Sequence, residues 1–388
     1  MTMKIQERAK RFSTESAFKV LARARELEAQ GKDIVHLEIG QPDFPTPEPA
    51  CEAGIQAIRD GHTGYGPTPG LPDLRQEIAR QAGELRGMDI DPSQIIVTPG
   101  GKPVIYYVIN ALAGEGDEVI YPDPAFPMYP SIIAHSGAKG VPLRLEESKD
   151  FRFDPDEFRR LLSPKTSLII LNSPQNPTGG SLDHATLEVI AQEARERDIP
   201  ILSDEIYSRI IYDDKFESIA SFPDMADRTI ILDGFSKTYA MTGWRLGYLI
   251  CAKELVETFE RYNVNIVSCV TTFAQYGAIE ALRMDQSPVD NMVAEFRKRR
   301  DYLIPALNAI PGLQCANPGG AFYAFPNVTE TGMPSSEFAD RLLDEAGVAT
   351  LDGGSFGPGG EGYIRISYAS SMANLEEACR RIANFLKS

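Results

Sequence analysis

Between about residues 50 and 285 the chain alternates short, continuously apolar runs with segments of helical spacing. The runs are QIIVT (94–98), DEVIY (117–121), SLIILN (167–172), IPILSD (199–204), RTIILD (228–233) and RLGYLI (245–250). Several are rich in Ile and lack the polar–apolar alternation of a half-wet strand, which marks strands covered on both faces. Helical segments lie between many of them, residues 183–197 for example. The pattern predicts an α/β fold: a large domain with a mainly parallel sheet flanked by helices. Ligands of such sheets bind beyond the carboxyl ends of the strands. The residues just after each run are therefore where function is expected.

The flanks read differently. From about Thr14 to Gln30, Phe18, Leu21, Ala24 and Leu27 recur at helical spacing, with Gly31 as the stop. IVHLEIG then reads as a short strand entering QPDFPTPEP, a loop that its prolines keep irregular. A long helix is expected over Val289 to Asn308, followed by strands near 320–326, 347–351 and 361–368 and helices at 335–346 and 373–387. This predicts a smaller α+β domain. The expected division is 1–45 as an N-terminal part of the small domain, 46–285 as the large domain and 286–388 as the rest of the small one. No flexible linker separates them, so a cleft between coupled domains is expected.

Composition removes several functions. The 388 residues are 43% apolar, ample for a sizeable core. The formal charge of −16 and the absence of any Lys/Arg-rich block argue against nucleic-acid and anionic-membrane partners. Cys51, Cys251, Cys269, Cys315 and Cys379 are scattered, without a C-x-x-C pair, and read as reduced thiols. Four dispersed histidines likewise speak against a metal site. The polar N-terminus lacks a signal-like apolar stretch, and no run approaches the roughly 18 residues that span a bilayer. A cytoplasmic protein is expected.

Four strand ends carry chemistry. The first gives T-P-G-G-K-P before an apolar helix, where Gly101 and Lys102 would offer backbone N–H groups to a phosphate. Pro103 after the lysine excludes a Walker A loop, and a plain tight turn accounts for the segment equally well. The third ends in N-S-P-Q-N-P-T-G-G, a rigid loop projecting Asn176, or simply a turn. The fourth ends in S-D-E-I-Y. Asp204 there is desolvated unless a cation pairs with it, and a structural ion pair is the alternative. The fifth ends in D-G-F-S-K-T-Y-A-M-T-G-W-R-L-G-Y. Lys237 follows an apolar strand, and poor solvation would favour its neutral, nucleophilic amine. Arg245 has the planar fork that suits a phosphate. Each signal is modest. Together they supply a phosphate cradle, an amide, a buried carboxylate, a tyrosine (Tyr207) and an amine able to form a Schiff base, which is the equipment for pyridoxal 5′-phosphate.

NPTGG, SDEIY, SKTYAMTGWRLGY, YGPTPGLPDLR and YIRISYA resemble the motifs of the class I/II aminotransferases, the fold-type I pyridoxal-phosphate enzymes, and most of all their bacterial aspartate and aromatic branch. The resemblance runs from about Leu37 to the C-terminus. It implies that Lys237 is the Schiff-base lysine and carries the proton shift, with Asp204 on the ring nitrogen. Asn176 and Tyr207 would bind the ring's phenolic oxygen, and Phe126 in PDPAFPMYP would stack on the ring face. Gly101, Lys102, Ser236 and Arg245 would hold the phosphate. Tyr65 would reach it from the neighbouring subunit of a homodimer. Arg365 in YIRISYA, with Gly40 in LEIGQPDF, would bind the substrate carboxylate; Phe126 and Asn176 would also border the substrate. One position departs: many relatives carry serine where this chain has Gly234, so a phosphate bond is missing there unless Ser236 or water replaces it.

The resemblance thus implies an aminotransferase that moves an amino group from an L-amino acid to a 2-oxo acid by a ping-pong route. The same residues serve C–S lyases and aminocyclopropane-carboxylate synthases on this scaffold. A ligand-sensing regulator is a third alternative, although only about 35 residues precede the matching core. A nicotinamide dehydrogenase lacks its glycine fingerprint here. Side-chain specificity stays open between acidic, aromatic and other donors. Lys102 could approach a distal carboxylate, which would favour aspartate or glutamate, or could give only a backbone contact to the phosphate with its side chain in solvent.

Overall fold

The computed structural model describes residues 5–13 and 16–387. The helix expected from Thr14 runs over Ser16–Ala29; Thr14 itself lies outside the described residues. It leads to a two-residue strand, β1 (Val35–His36). Helices Glu48–Arg59 and Pro72–Arg86 follow, each with a proline in its first turn, where no N–H partner is needed.

The central sheet is built from β2 (Ile95–Thr98), β3 (Glu118–Asp123), β4 (Lys139–Arg144), β5 (Thr166–Asn172), β6 (Ile201–Asp204), β7 (Thr229–Gly234) and β8 (Gly247–Ile250). Their spatial order is β2-β8-β7-β6-β5-β3-β4. All adjacent pairs are parallel except those of β8, which runs antiparallel to β2 and β7. Every residue of β2, β6, β7 and β8 is buried, in keeping with their mostly apolar sequences. Strand β4 is absent from the apolar runs read in the sequence. Its sequence KGVPLR alternates because it lies at the sheet edge with one wet side, and Pro142 is tolerated there.

Helices Lys253–Val267 and Thr272–Arg283 follow β8. The C-terminal part then sets helices Ser287–Asn308, Ser335–Ala346 and Met372–Phe385 around short strands β9 (Tyr323–Ala324), β10 (Val348–Ala349), β11 (Leu351–Asp352) and β12 (Ile364–Ser367). Strand β1 pairs with β10, and β12 lies between β11 and β9. The N-terminal helix buries Ala24 and Leu27 against Leu343 and Ala349, so the two ends of the chain share one core. A larger apolar cluster joins Phe296, Phe322, Phe338 and Ile382 to Tyr207 and Ile210, which follow β6. The segment bearing Tyr207 is thereby anchored to the C-terminal part.

Candidate active site

Sheet register decides what meets at the strand ends. Asn172 of β5 lies beside Asp204 of β6, which lies beside Leu232 of β7; Gly234 lies beside Gly247, and Gly247 beside Thr98. A cavity of about 560 Å³ opens over this edge. Eleven of the twelve residues singled out in the sequence line it; Tyr65 does not.

One corner gathers backbone N–H groups beside a guanidinium. Gly100 has φ +88°, and a Cβ on it would sit 2.3 Å from Arg245 Nη2, so only glycine lets the backbone approach the guanidinium. Gly101 then caps helix Lys102–Leu112, whose first N–H groups have no partner within the helix. Arg245 itself sits at φ 55°, a left-handed backbone that costs a non-glycine residue on the order of 1 kcal/mol or more. It donates to the carbonyls of Thr242 (2.9 Å) and Pro99 (3.3 Å). Ser236 is buried in the short helix Phe235–Thr238 that begins directly after β7.

The floor carries a carboxylate. Asp204 is buried, with Oδ2 accepting from the Tyr129 hydroxyl at 2.6 Å and Oδ1 from the Ile206 N–H at 3.3 Å. No lysine or arginine among the described residues pairs with it, so the structural ion pair is not what holds it. Burial raises it to about 6; the Tyr129 and Ile206 bonds pull it down and the nearby carboxylates of Asp233 and Glu205 push it up. Asn172 ties the neighbouring strand ends together, its Nδ2 donating to the Asp204 carbonyl (3.0 Å) while its Oδ1 accepts from the Asn176 N–H (3.0 Å).

The opposite wall belongs to β12 and the N-terminal segment. Arg365, buried, donates from Nη1 to Asn176 Oδ1 (3.0 Å) and from Nη2 to the Glu38 carbonyl (2.6 Å). The rings of Tyr323 and Phe356 lie 4.6 and 5.1 Å from its guanidinium carbon. Lys237 Nζ donates to the Gly40 carbonyl, which brings the amine to the N-terminal segment. Tyr207 and Tyr323 share a hydroxyl–hydroxyl bond of 2.7 Å, and burial drives the Tyr207 phenol well above its usual range. It is therefore a neutral donor. A Cβ at Gly40 would fall 2.1 Å from Tyr323 Oη, so this site leaves no room for a side chain there. Phe126 lies half-buried, edge-on to Tyr129, with Lys102 Nζ 5.6 Å from its ring.

Tyr65 is 94% exposed on the loop before helix Pro72–Arg86. Sequence reasoning passed over Tyr129, Asn172, Tyr323 and Phe356. Two had visible signals: Asn172 is the last polar residue of an apolar strand, and Tyr129 stands three residues, about one helical turn, after Phe126. Tyr323 and Phe356 reach the site only through tertiary packing.

Comparison with known proteins fits this geometry. The family described as aminotransferase class I and II matches residues 32–382. The chain is 41% identical to an aspartate aminotransferase of Pyrococcus abyssi, over 92% of each chain. It is 42% identical to aromatic-amino-acid aminotransferase 2 of Thermococcus litoralis, over 92% of this chain and 93% of that one. The solved structure of Thermus thermophilus aspartate aminotransferase with maleate superposes with a TM-score of 0.95 at 34% identity, covering 99% of this chain and 100% of that one.

Proposed function

The chain belongs to the class I and II aminotransferases, a family that works with pyridoxal 5′-phosphate, and from that premise we propose how its own residues divide the work. The residues present fit the cofactor. Among the described residues no cationic side chain pairs with the buried Asp204 carboxylate, and a ring nitrogen carrying a proton would supply that partner. The corner of Gly101, Lys102, Ser236 and Arg245 offers backbone and side-chain donors to a phosphate. The Gly100 cradle leaves open the space beside the guanidinium. Asn176 and the neutral phenol of Tyr207 are donors for a ring oxygen, and Phe126 lines the same cavity with an aromatic face.

When bound, the cofactor supplies a carbonyl that captures an amine and a ring that takes up the electron pair released at the substrate's Cα. Lys237 Nζ is the amine that would hold the cofactor and, when not bonded to it, would take up and give back a proton at the substrate's Cα. Arg365 binds the substrate carboxylate as a bidentate pair, exchanging its present bonds to Asn176 and Glu38 for it. The Gly40 backbone completes that subsite. A 2-oxo acid then enters by the same contacts and leaves aminated. For the donor we favour an acidic amino acid, its distal carboxylate facing Lys102 in the cavity lining; the aspartate aminotransferases among the relatives support this.

Tyr65 acts, on this reading, in the neighbouring site of a homodimer. Exposed Val264 and Ile266 end the helix whose Asn263 holds the Thr68 carbonyl of the Tyr65 loop, which gives the dimer an apolar contact. The division into a large domain over 46–285 and a small one from both chain ends is supported by the shared terminal core. A cytoplasmic enzyme is supported by five free cysteines.

The convergence of Lys237, Asp204 and Arg365 on one cavity carries this reading. The purified protein should be yellow, and borohydride should fix the colour onto Lys237. Aspartate or glutamate should convert the spectrum and pass the amine to 2-oxoglutarate or oxaloacetate faster than aromatic donors do. Full activity in Lys237→Ala would overturn the site, and ammonia plus a 2-oxo acid from one amino acid alone would make the enzyme a lyase.

A further inference from the structure

Behind the cavity, on the other face of the sheet, lies a charge cluster that the transamination residues do not include. Side chains alternate along a strand. Asp204 and Leu232 line the cavity, so their successors Glu205 and Asp233 turn away from it. Both meet Arg86, the last residue of helix Pro72–Arg86. Arg86 Nε donates to Glu205 Oε2 at 2.7 Å and Nη2 to Asp233 Oδ2 at 2.8 Å; Nη1 donates to the Ala82 carbonyl at 3.3 Å. The three side chains are 0%, 2% and 7% exposed.

The remaining lone pairs are also used. Glu205 Oε1 accepts from the hydroxyls of Ser203 (2.8 Å) and Ser218 (2.6 Å). Asp233 accepts from Ser208 (3.3 Å) and from the Gly234 N–H (2.7 Å), and the Tyr248 hydroxyl of β8 bonds to it as well. The Phe216 ring, 5.7 Å from the guanidinium carbon, closes the cluster. Two carboxylates and one guanidinium leave one net negative charge directly behind Asp204. That cluster grips the ends of the two strands from which the cofactor contacts project: Glu205 follows Asp204 directly, and Asp233 precedes Lys237 by four residues.

We propose that Arg86 is a positioning residue: through Glu205 and Asp233 it locks the ends of β6 and β7, and it limits the negative charge felt at Asp204 and the cofactor. Removing one cation from a buried, nearly dry cluster makes the field behind the cavity more negative, and removing one carboxylate makes it less so. The two changes therefore act on the site with opposite sign. A cluster that only supported packing would be damaged in the same sense by either.

The inference rests on the assignment of Asp204 and Lys237 to the cofactor. The test is the pH midpoint of the visible absorbance of protein loaded with pyridoxal 5′-phosphate, measured for the parent, Arg86→Met, Arg86→Lys and Glu205→Gln. A more negative field holds protons in the site more tightly. Arg86→Met should raise the midpoint and Glu205→Gln should lower it, each by roughly three- to tenfold in proton affinity. Arg86→Lys should stay near the parent. If Arg86→Met does not fold, a fall in Glu205→Gln beside an unmoved Arg86→Lys still decides for the proposal. Unchanged midpoints, or shifts of one sign in proteins with parent-like circular dichroism, would overturn it. A parent that takes up no coloured cofactor would instead fail the assignment of the site, and the inference with it.

Discussion

At the scale of single residues the site is organised around a charge that the fold alone does not satisfy. Among the described residues no cation pairs with buried Asp204, and its carboxyl is raised to about 6, chiefly by burial. A carboxyl whose folded value lies above its unfolded value of about 3.9 favours folding in its protonated form. Its favourable contribution is present below about pH 4 and is lost as pH rises through 6, to the extent of about 3 kcal/mol at 1.4 kcal/mol per pH unit. Cofactor-free Asp204→Asn should therefore be more stable than the cofactor-free parent at pH 8, by up to about 3 kcal/mol, and no more stable at pH 4. Urea unfolding at the two pH values measures this. With cofactor bound the order should reverse, and activity should fall by about a hundredfold or more, because the amide cannot hold a protonated ring nitrogen. A parent apoprotein as stable as the variant at pH 8 would mean that Asp204 is not strained. Asp204 was legible in the sequence as a carboxylate closing an apolar strand. That Tyr129, 75 residues earlier, donates to it was not, because only the packing of helix Met128–Ser136 on the sheet brings the two together.

At the scale of elements the continuously apolar strands were legible, and with them the edge on which the site stands. What escaped were features set by pairing between elements. The half-wet edge strand β4 is one. Arg86 is another, although it had a signal: Leu74, Ile78 and Ala82 recur every four residues on the buried stripe of their helix, and Arg86 continues that stripe as a cation. Gly234 is a third. Its backbone is extended, so any residue could adopt its φ; the constraint is space. A Cβ there would lie 2.9 Å from Gly247 Cα and 3.0 Å from the Leu246 carbonyl, because β7 and β8 close up at their paired ends. The serine found in many relatives therefore cannot simply be restored. Gly234→Ser should cost about 1–3 kcal/mol in thermal unfolding and weaken cofactor binding by displacing the helix that carries Ser236 and Lys237. An unchanged melt with tighter cofactor binding would show that the hydroxyl fits and supplies a phosphate contact.

At the scale of the whole molecule, a chain of net charge −16 gathers Arg245, Lys237, Arg365 and Lys102 around one cavity, so an anionic ligand would meet a local cationic field within a repulsive surface. That cavity is incomplete by one residue if Tyr65 belongs to it, since Tyr65 is 94% exposed and lies away from the cavity of its own chain. A two-fold dimer would resolve this, each subunit lending its loop to the other. The arrangement has a consequence that a site within one chain cannot imitate. In a mixed dimer of Tyr65→Ala and Lys237→Ala subunits, one site combines an intact Lys237 with an intact Tyr65, and the other carries both defects. Random reassortment of equal amounts should place half the protein in mixed dimers and restore about a quarter of the parental sites. Unfolding the two inactive variants together, refolding them with pyridoxal 5′-phosphate and assaying transamination measures that fraction. Recovery well above the sum of the separately refolded variants would place Tyr65 across the interface. Recovery no greater than that sum, in protein shown to be dimeric, would return Tyr65 to its own chain or remove it from the site.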